Sequence, residues 1–257
     1  MSTFRPVIRM NSLVENDTAA AEYHKHLSPF QMEKFTYMFD SLFDLDKNLL
    51  LEEADIHALV SKMKTYCKWD DNDEKYQYIK DVHKVFYECL QDQVRSEKAA
   101  SAQAEEIKTW EEALKVKKID VSQITLRQWL NMWGRLCYRA SGLNDFPIWV
   151  QLLPKIFFEI IDQDKDGILE KSEYERFYRE FVAVPSTELQ KVVDEGYRAM
   201  TADGEYTFDL EHYGFCFANF LLGRSIYGPG KYIFGVFDNS DINQTFKVNY
   251  NEEDEED

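Results

Sequence analysis

The residues most able to do chemistry lie in one twelve-residue run, Asp162-Gln163-Asp164-Lys165-Asp166-Gly167-Ile168-Leu169-Glu170-Lys171-Ser172-Glu173. Carboxylates stand at its first, third and fifth positions, glycine at the sixth and glutamate at the twelfth, so D-x-[DN]-x-[DN]-G-x5-E is matched throughout. That pattern suits a hard divalent cation, which takes about six to eight oxygens. Asp162, Asp164 and Asp166 would supply carboxylates from alternate positions, and Ile168 its backbone carbonyl. Glu170 would act directly or through water, and Glu173 would supply two oxygens. Gly167 permits the sharp bend that a Cβ would oppose. Calcium is the expected ion and magnesium the alternative. An acidic turn before a helix is the blander reading, and it leaves the joint match of every fixed position unexplained.

Three other runs carry weaker versions of this chemistry. Asp44–Asp55 keeps Asp44, Asp46 and Asn48, but Leu49 replaces the glycine and Asp55 the final glutamate. A left-handed backbone at Leu49 would cost about 1–3 kcal/mol, and Asp55 is one methylene shorter than glutamate. A folded but empty loop is expected there, with a weak calcium or magnesium site as the alternative. Lys117–Gln128 places Lys117, Ile119 and Val121 where carboxylates are needed, and the lysine would repel a cation. Thr201–His212 keeps Asp203 and Glu205 but has Tyr206 and His212 at the sixth and twelfth positions. Both of these runs are expected to be empty.

Helices must position these loops. Ser28 with Gln31 reads as a capping box, and Pro29 fits the first helical position. Phe35, Met38, Phe39, Leu42 and Phe43 then follow helical spacing. A second helix is expected from about Glu53 to Tyr66, and a third on Ile79, Val82, Val85, Phe86 and Leu90. Further helices are expected at Trp129–Tyr138, from Phe146-Pro147 through Ile161, to about Val182, at Glu188–Met200 capped by Ser186, and at Glu211–Leu222. Residues 92–116 read as an exposed helical insertion, with a disordered segment as the alternative. The resulting repeat is four helix–loop–helix units, at roughly 30–66, 79–138, 147–182 and 188–222. Each loop has an apolar eighth residue, Leu51, Ile124, Leu169 or Phe208. These residues would form short β-contacts joining unit 1 to unit 2 and unit 3 to unit 4. The expected fold is all-α, with four EF-hand units in two pairs.

The 257-residue chain carries a formal net charge of −17. That balance argues against nucleic-acid binding, which relies on Lys and Arg neutralising phosphates. Cys67, Cys89, Cys137 and Cys216 show no zinc-ligand spacing. The first residues lack an apolar signal core, and the apolar stretch around Phe215–Leu222 is too short to span a bilayer. A cytoplasmic location with reduced thiols is expected. The last seven residues, 251–257, include six acids and read as a solvated tail.

Several segments resemble the invertebrate sarcoplasmic calcium-binding proteins and, within that group, the calexcitins. They are Leu27-Ser28-Pro29-Phe30-Gln31, Trp129-Leu130-Asn131-Met132-Trp133, Pro147 through Tyr174, and Gly228-Pro229-Gly230-Lys231 with Phe234-Gly235. The resemblance covers about residues 27–236. It implies a compact arrangement of two EF-hand pairs and a role in calcium buffering or signalling in muscle or neurons. The implied layout is an extension at 1–26, a first pair at 27–142, a second pair at 143–236 and an acidic tail at 237–257. The metal ligands that carry over are Asp162, Asp164, Asp166, Ile168 and Glu173.

A non-enzymatic calcium-binding protein, a sensor or modest buffer with one intact loop, is therefore the expected function. An adaptor with a structural ion and an unidentified protein target is the alternative. A nucleotide-dependent kinase resembling juvenile hormone diol kinase is less favoured. Gly223 and Gly228 have the spacing of a phosphate-binding loop, but Pro229 stands where its lysine should be. No Ser–His or Cys–His constellation is apparent, so catalysis is not expected.

Overall fold

The computed structural model describes residues 22–103 and 121–235. Most of the 1–26 extension, residues 104–116 of the insertion, Lys117 and Ile119 of the second loop, and the 237–257 tail lie outside the described residues.

The chain order is α1 (Pro29–Met38), β1 (Leu50–Leu51), α2 (Glu53–Cys67), α3 (Glu74–Gln103), β2 (Ile124–Thr125), α4 (Leu126–Cys137), α5 (Ile148–Ile161), α6 (Lys171–Arg176), α7 (Ser186–Met200) and α8 (Leu210–Leu222). Two helices widen by one π-helical turn at their ends, α1 into Phe39–Phe43 and α6 into Phe177–Val182.

Helix α1 starts as its residues dictate. Gln31 N donates to Ser28 Oγ and Ser28 N to Gln31 Oε1, both at 3.1 Å, with Pro29 in the first turn. The five apolar residues along it, Phe35 through Phe43, are all buried. Helix α7 departs from expectation. It begins at Ser186 with Pro185 as the capping residue, and no side chain caps it among the described residues. The Pro185 carbonyl accepts from Leu189 N at 3.0 Å, so the helix starts one residue earlier than a serine cap would place it.

Paired loops meet at their eighth residues. Leu51 pairs antiparallel with Ile124 across β1 and β2. In the second pair an antiparallel bridge joins Ile168 to Asp209, and Leu169 N donates to Phe208 O at 2.9 Å. All four eighth residues are buried. Alternation along so short a strand puts one side chain in the core and the next outside.

The two pairs share one aromatic core. Trp129 packs against Phe39, Phe43 and Phe86, and Trp133 stacks on Phe35 at 4.8 Å. Trp149, on α5 of the second pair, reaches into this group, 5.0 Å from Phe86 and 6.2 Å from Trp133. Helix α1 also stitches the pairs by polar contacts. Gln31 Nε2 donates to Leu221 O at 3.1 Å, and Lys34 Nζ donates to Gly223 O at 2.7 Å and to Phe220 O. Lys34 thus serves the open carbonyls at the C-terminus of α8. Burial draws its ammonium pKa down to about 7.

Three further expectations need correction. Part of the 1–26 extension packs on the first pair. Tyr23–His26 forms a 3-10 turn on α4, where Gly134 leaves room for Tyr23 O and His24 Nδ1 lies 2.7 Å from Asn131 Oδ1. The 92–116 stretch is not an exposed insertion from its start. Helix α3 continues through residue 103, with Val94 wholly buried and Glu97 9% exposed. Val85, expected on the apolar face, is exposed. The buried residues of α3, Ile79, Val82, His83, Phe86, Tyr87, Leu90, Val94 and Glu97, recur at helical spacing on one face, and Val85 lies outside it.

Candidate metal centre

Loop 162–173 hangs between two apolar helices. Phe157, Phe158 and Ile161 bury α5 on the core, and Tyr174, Phe177 and Tyr178 do the same for α6 and the turn that follows it. The loop begins where α5 ends at Asp162, and Glu173 lies in the first turn of α6.

Within the loop, side-chain oxygens draw the backbone N–H groups inward. Asp162 accepts from Lys165 N at 2.8 Å and Gly167 N at 3.2 Å. Asp164 accepts from Asp166 N at 3.1 Å, and Asp166 from Ile168 N at 2.8 Å. Gly167 sits at φ +84, the left-handed region that the expected bend needs. The three aspartates each place a carboxylate oxygen within 4.8 Å of the other two. Glu173 bridges the ends of the loop, accepting from Gln163 N at 2.7 Å and Glu170 N at 3.0 Å. Desolvation raises the pKa of its carboxyl, against the lowering effect of those N–H donors. The donors are all oxygen, which fits calcium or magnesium and offers nothing to a metal that prefers nitrogen or sulfur.

The loop also leans on α2 of the first pair. Gln163 Nε2 donates to Ile160 O and lies 4.0 Å from Cys67 Sγ, while its Oε1 accepts from Arg176 Nη1 at 3.3 Å. The Arg176 guanidinium stands 5.1 Å from the Tyr66 ring. Burial raises the Cys67 thiol pKa to about 12.

Loop 44–55 repeats the same backbone despite its two altered residues. Leu49 adopts φ +68 where Gly167 has +84, and Lys47 adopts +62 where Lys165 has +64. Leu49 N donates to Asp44 Oδ2 at 3.1 Å and Glu52 N to Asp55 Oδ2 at 2.9 Å, matching Gly167 to Asp162 and Glu170 to Glu173. Asp44, Asp46 and Asp55 form a second carboxylate group within 4.8 Å. Asp44 and Asp55 are buried, and desolvation raises the pKa of both. The loop keeps this shape although its sixth residue is not glycine, and Leu49 carries the strain of the left-handed backbone.

The other two loops converge no such group among the described residues. In the second loop, Val121 is buried in the core, and Gln128 Oε1 at the twelfth position accepts from Thr125 N at 2.9 Å. In the fourth, Asp203 turns outward to Arg198, with Oδ1 3.4 Å from Nε. Residues 202–204, the second to fourth positions, carry the positive φ values there, whereas in 162–173 they fall at the fourth and sixth, Lys165 and Gly167. His212 closes this loop by a contact to Met200 O at 2.6 Å. That closure went unforeseen because nothing in the spacing marks a histidine as a substitute for an ion.

No family model matches the chain. Two curated proteins of Branchiostoma lanceolatum do resemble it. Sarcoplasmic calcium-binding proteins I, III and IV are 25% identical over 189 residues, covering 73% of this chain and 86% of their own. Sarcoplasmic calcium-binding proteins II, V, VI and VII are 24% identical over the same shares. Among solved structures, a sarcoplasmic calcium-binding protein from amphioxus aligns with a TM-score of 0.57 and 19% identity, covering 82% of this chain and all of that one. The relatives found are sarcoplasmic calcium-binding proteins, as the residue resemblance implied, and the four-unit helical fold is theirs.

Proposed function

We propose that this chain, a relative of the sarcoplasmic calcium-binding proteins, is itself a calcium-binding EF-hand protein whose principal site is loop 162–173. The ion is held by Asp162, Asp164, Asp166, the Ile168 carbonyl and Glu173. The observation that carries this reading is the convergence of three aspartate carboxylates on the left-handed turn at Gly167. Calcium supplies the charge that offsets three clustered anions, and the chain supplies the shape. Magnesium competes for the same oxygens.

One intact loop in four favours a sensor or modest buffer over a high-capacity store. Ion capture by Glu173 acts on α6, which begins two residues before it. Gln163 and Arg176 carry that movement to Cys67 and Tyr66 on α2, in the first pair. The chain is read as cytoplasmic and non-catalytic, divided into a first pair at 27–142 and a second at 143–236. Among the described residues no helix is long and apolar enough to cross a membrane. Gly223 and Gly228, spaced like a phosphate-binding loop, instead press against Asn219 of α8.

A second reading adds a weaker ion in loop 44–55, favoured by the Asp44, Asp46 and Asp55 group. Calorimetric titration of calcium into chelator-stripped protein, with and without millimolar magnesium, separates the readings. One site, lost in Glu173→Gln, supports the first. Two sites, of which Asp44→Asn removes one, support the second. No calcium uptake by the unaltered chain overturns both.

A further inference from the structure

The fourth loop holds its shape by a set of contacts that includes no carboxylate cluster. His212 occupies its twelfth position, where an ion-binding loop carries glutamate. Its Nε2 lies 2.6 Å from Met200 O, the carbonyl immediately before the loop. A carbonyl only accepts, so Nε2 carries the hydrogen. The contact therefore joins the two ends of the loop, as an ion would in loop 162–173. The ring is held on both sides. Tyr206 stacks on it at 4.9 Å and 16°, and Phe208 meets it edge-on at 6.0 Å. His212 N donates to Asp209 Oδ1 at 2.9 Å, capping α8. At the other end Thr201 Oγ1 donates to Tyr197 O at 2.8 Å and accepts from Gly204 N at 3.2 Å.

This closed loop bears directly on its neighbour. Phe208 O accepts from Leu169 N at 2.9 Å, and Tyr197 Oη donates to Leu169 O at 3.0 Å. Both backbone groups of Leu169 are thus held by residues of the fourth unit. Leu169 follows Ile168, whose carbonyl is a proposed ligand, and Ile168 itself bridges to Asp209. Tyr174, next to Glu173, packs on Phe208 at 5.7 Å.

We infer that His212 is a positioning residue: by locking the fourth loop shut without an ion, it holds Leu169 and so presets the Ile168 carbonyl of loop 162–173. This rests on the reading of loop 162–173 as the ion site. The paired loop then needs no ion of its own to be in binding shape, so the ordering cost is met before calcium arrives.

Two measurements on the full chain test it: amide hydrogen exchange at Leu169 in chelator, and calcium calorimetry. For His212→Ala, Leu169 exchange should quicken and calcium binding weaken by about threefold to tenfold, the worth of roughly one net hydrogen bond. Amides of α1 should keep their protection, which a general loss of stability would not allow. His212→Gln, whose amide can still donate to Met200 O, should restore both readouts. Tyr206→Ala, at a half-exposed position, should shift both in the same direction and covers the case in which His212→Ala fails to fold. If both variants leave Leu169 exchange and calcium affinity unchanged while Glu173→Gln abolishes binding, the lock is wrong and the ion site stands. If the unaltered chain takes up no calcium but Leu169 exchange still depends on His212, the ion site is wrong and the lock stands. If His212→Glu gains a second calcium with no loss at the first, the fourth loop is a latent ion site and the lock is overturned.

Discussion

At the scale of the residue, two side chains show how little local chemistry decides alone. Leu49 stands where the ion-loop pattern has glycine, and it accepts the glycine's backbone at φ +68. A left-handed backbone costs a residue with a Cβ about 1–2 kcal/mol. Leu49 is 44% exposed, so its removal forfeits little burial. Leu49→Gly relieves that strain at an entropic cost of about 0.5–1 kcal/mol in the unfolded chain, so stability should rise by a net of about 0.5–1 kcal/mol. A urea midpoint unchanged or lower in the variant would refute the strain. His83 is the opposite case, a polar residue with nothing in its spacing to mark it. It is buried on α3, its Nδ1 sits 2.8 Å from Ile79 O, and its Nε2 meets no partner among the described residues. Burial lowers its pKa from 6.5 to about 4. The unfolded chain then binds the proton more readily than the folded one between those values. Stability from this group is intact above pH 6.5 and falls as the pH drops towards 4. Between pH 7 and pH 5 the loss is about 2 kcal/mol. Urea unfolding of the unaltered chain and His83→Gln at both pH values measures it, because only the unaltered chain carries that difference.

At the scale of the element, the ends of helices were more legible than their middles. The Ser28 and Gln31 capping box needs only residues three apart, and it is present as expected. Ser28→Ala removes the acceptor for Gln31 N and should cost about 1 kcal/mol. A thermal midpoint within error of the unaltered chain would mean that packing of Phe30 and Phe35 holds the first turn without the cap. The end of α3 was misread for the converse reason. Residues 92–103 are rich in helix formers but sparse in apolar ones, and sparse apolar spacing reads as exposure. Val94 and Glu97 are nonetheless buried, since a long helix crossing a core needs only one residue per turn to touch it. The π-helical turns at Phe39–Phe43 and Phe177–Val182 had no sequence signal, since a widened turn follows from what the helix must pack against.

At the scale of the whole molecule, the joint between the pairs is aromatic. Trp149 links α5 to Phe86 and Trp133 of the first pair and is 7% exposed. Trp149→Ala should cost about 3–5 kcal/mol. Helicity by circular dichroism and the fluorescence of the buried Trp129 and Trp133 should then be lost in one shifted urea transition. Two separate transitions would show that the pairs fold independently and that the shared core contributes little.

The sequence by itself determined the four units, the pairing of their loops and which loop matches the ion-loop pattern at every fixed position. Those features are marked locally, by helical spacing and by the positions of a twelve-residue loop with its apolar eighth residue, where spacing along the chain sets spacing in space. Tertiary structure decided the rest. The left-handed backbone at Leu49, the burial of Asp44 and Asp55, the seat of Tyr23–His26 against Gly134 and the contact of His212 with Met200 each depend on what packing imposes beyond residue type and spacing. Close packing admits one arrangement of the surrounding helices, and the loops between them take the shape that arrangement requires.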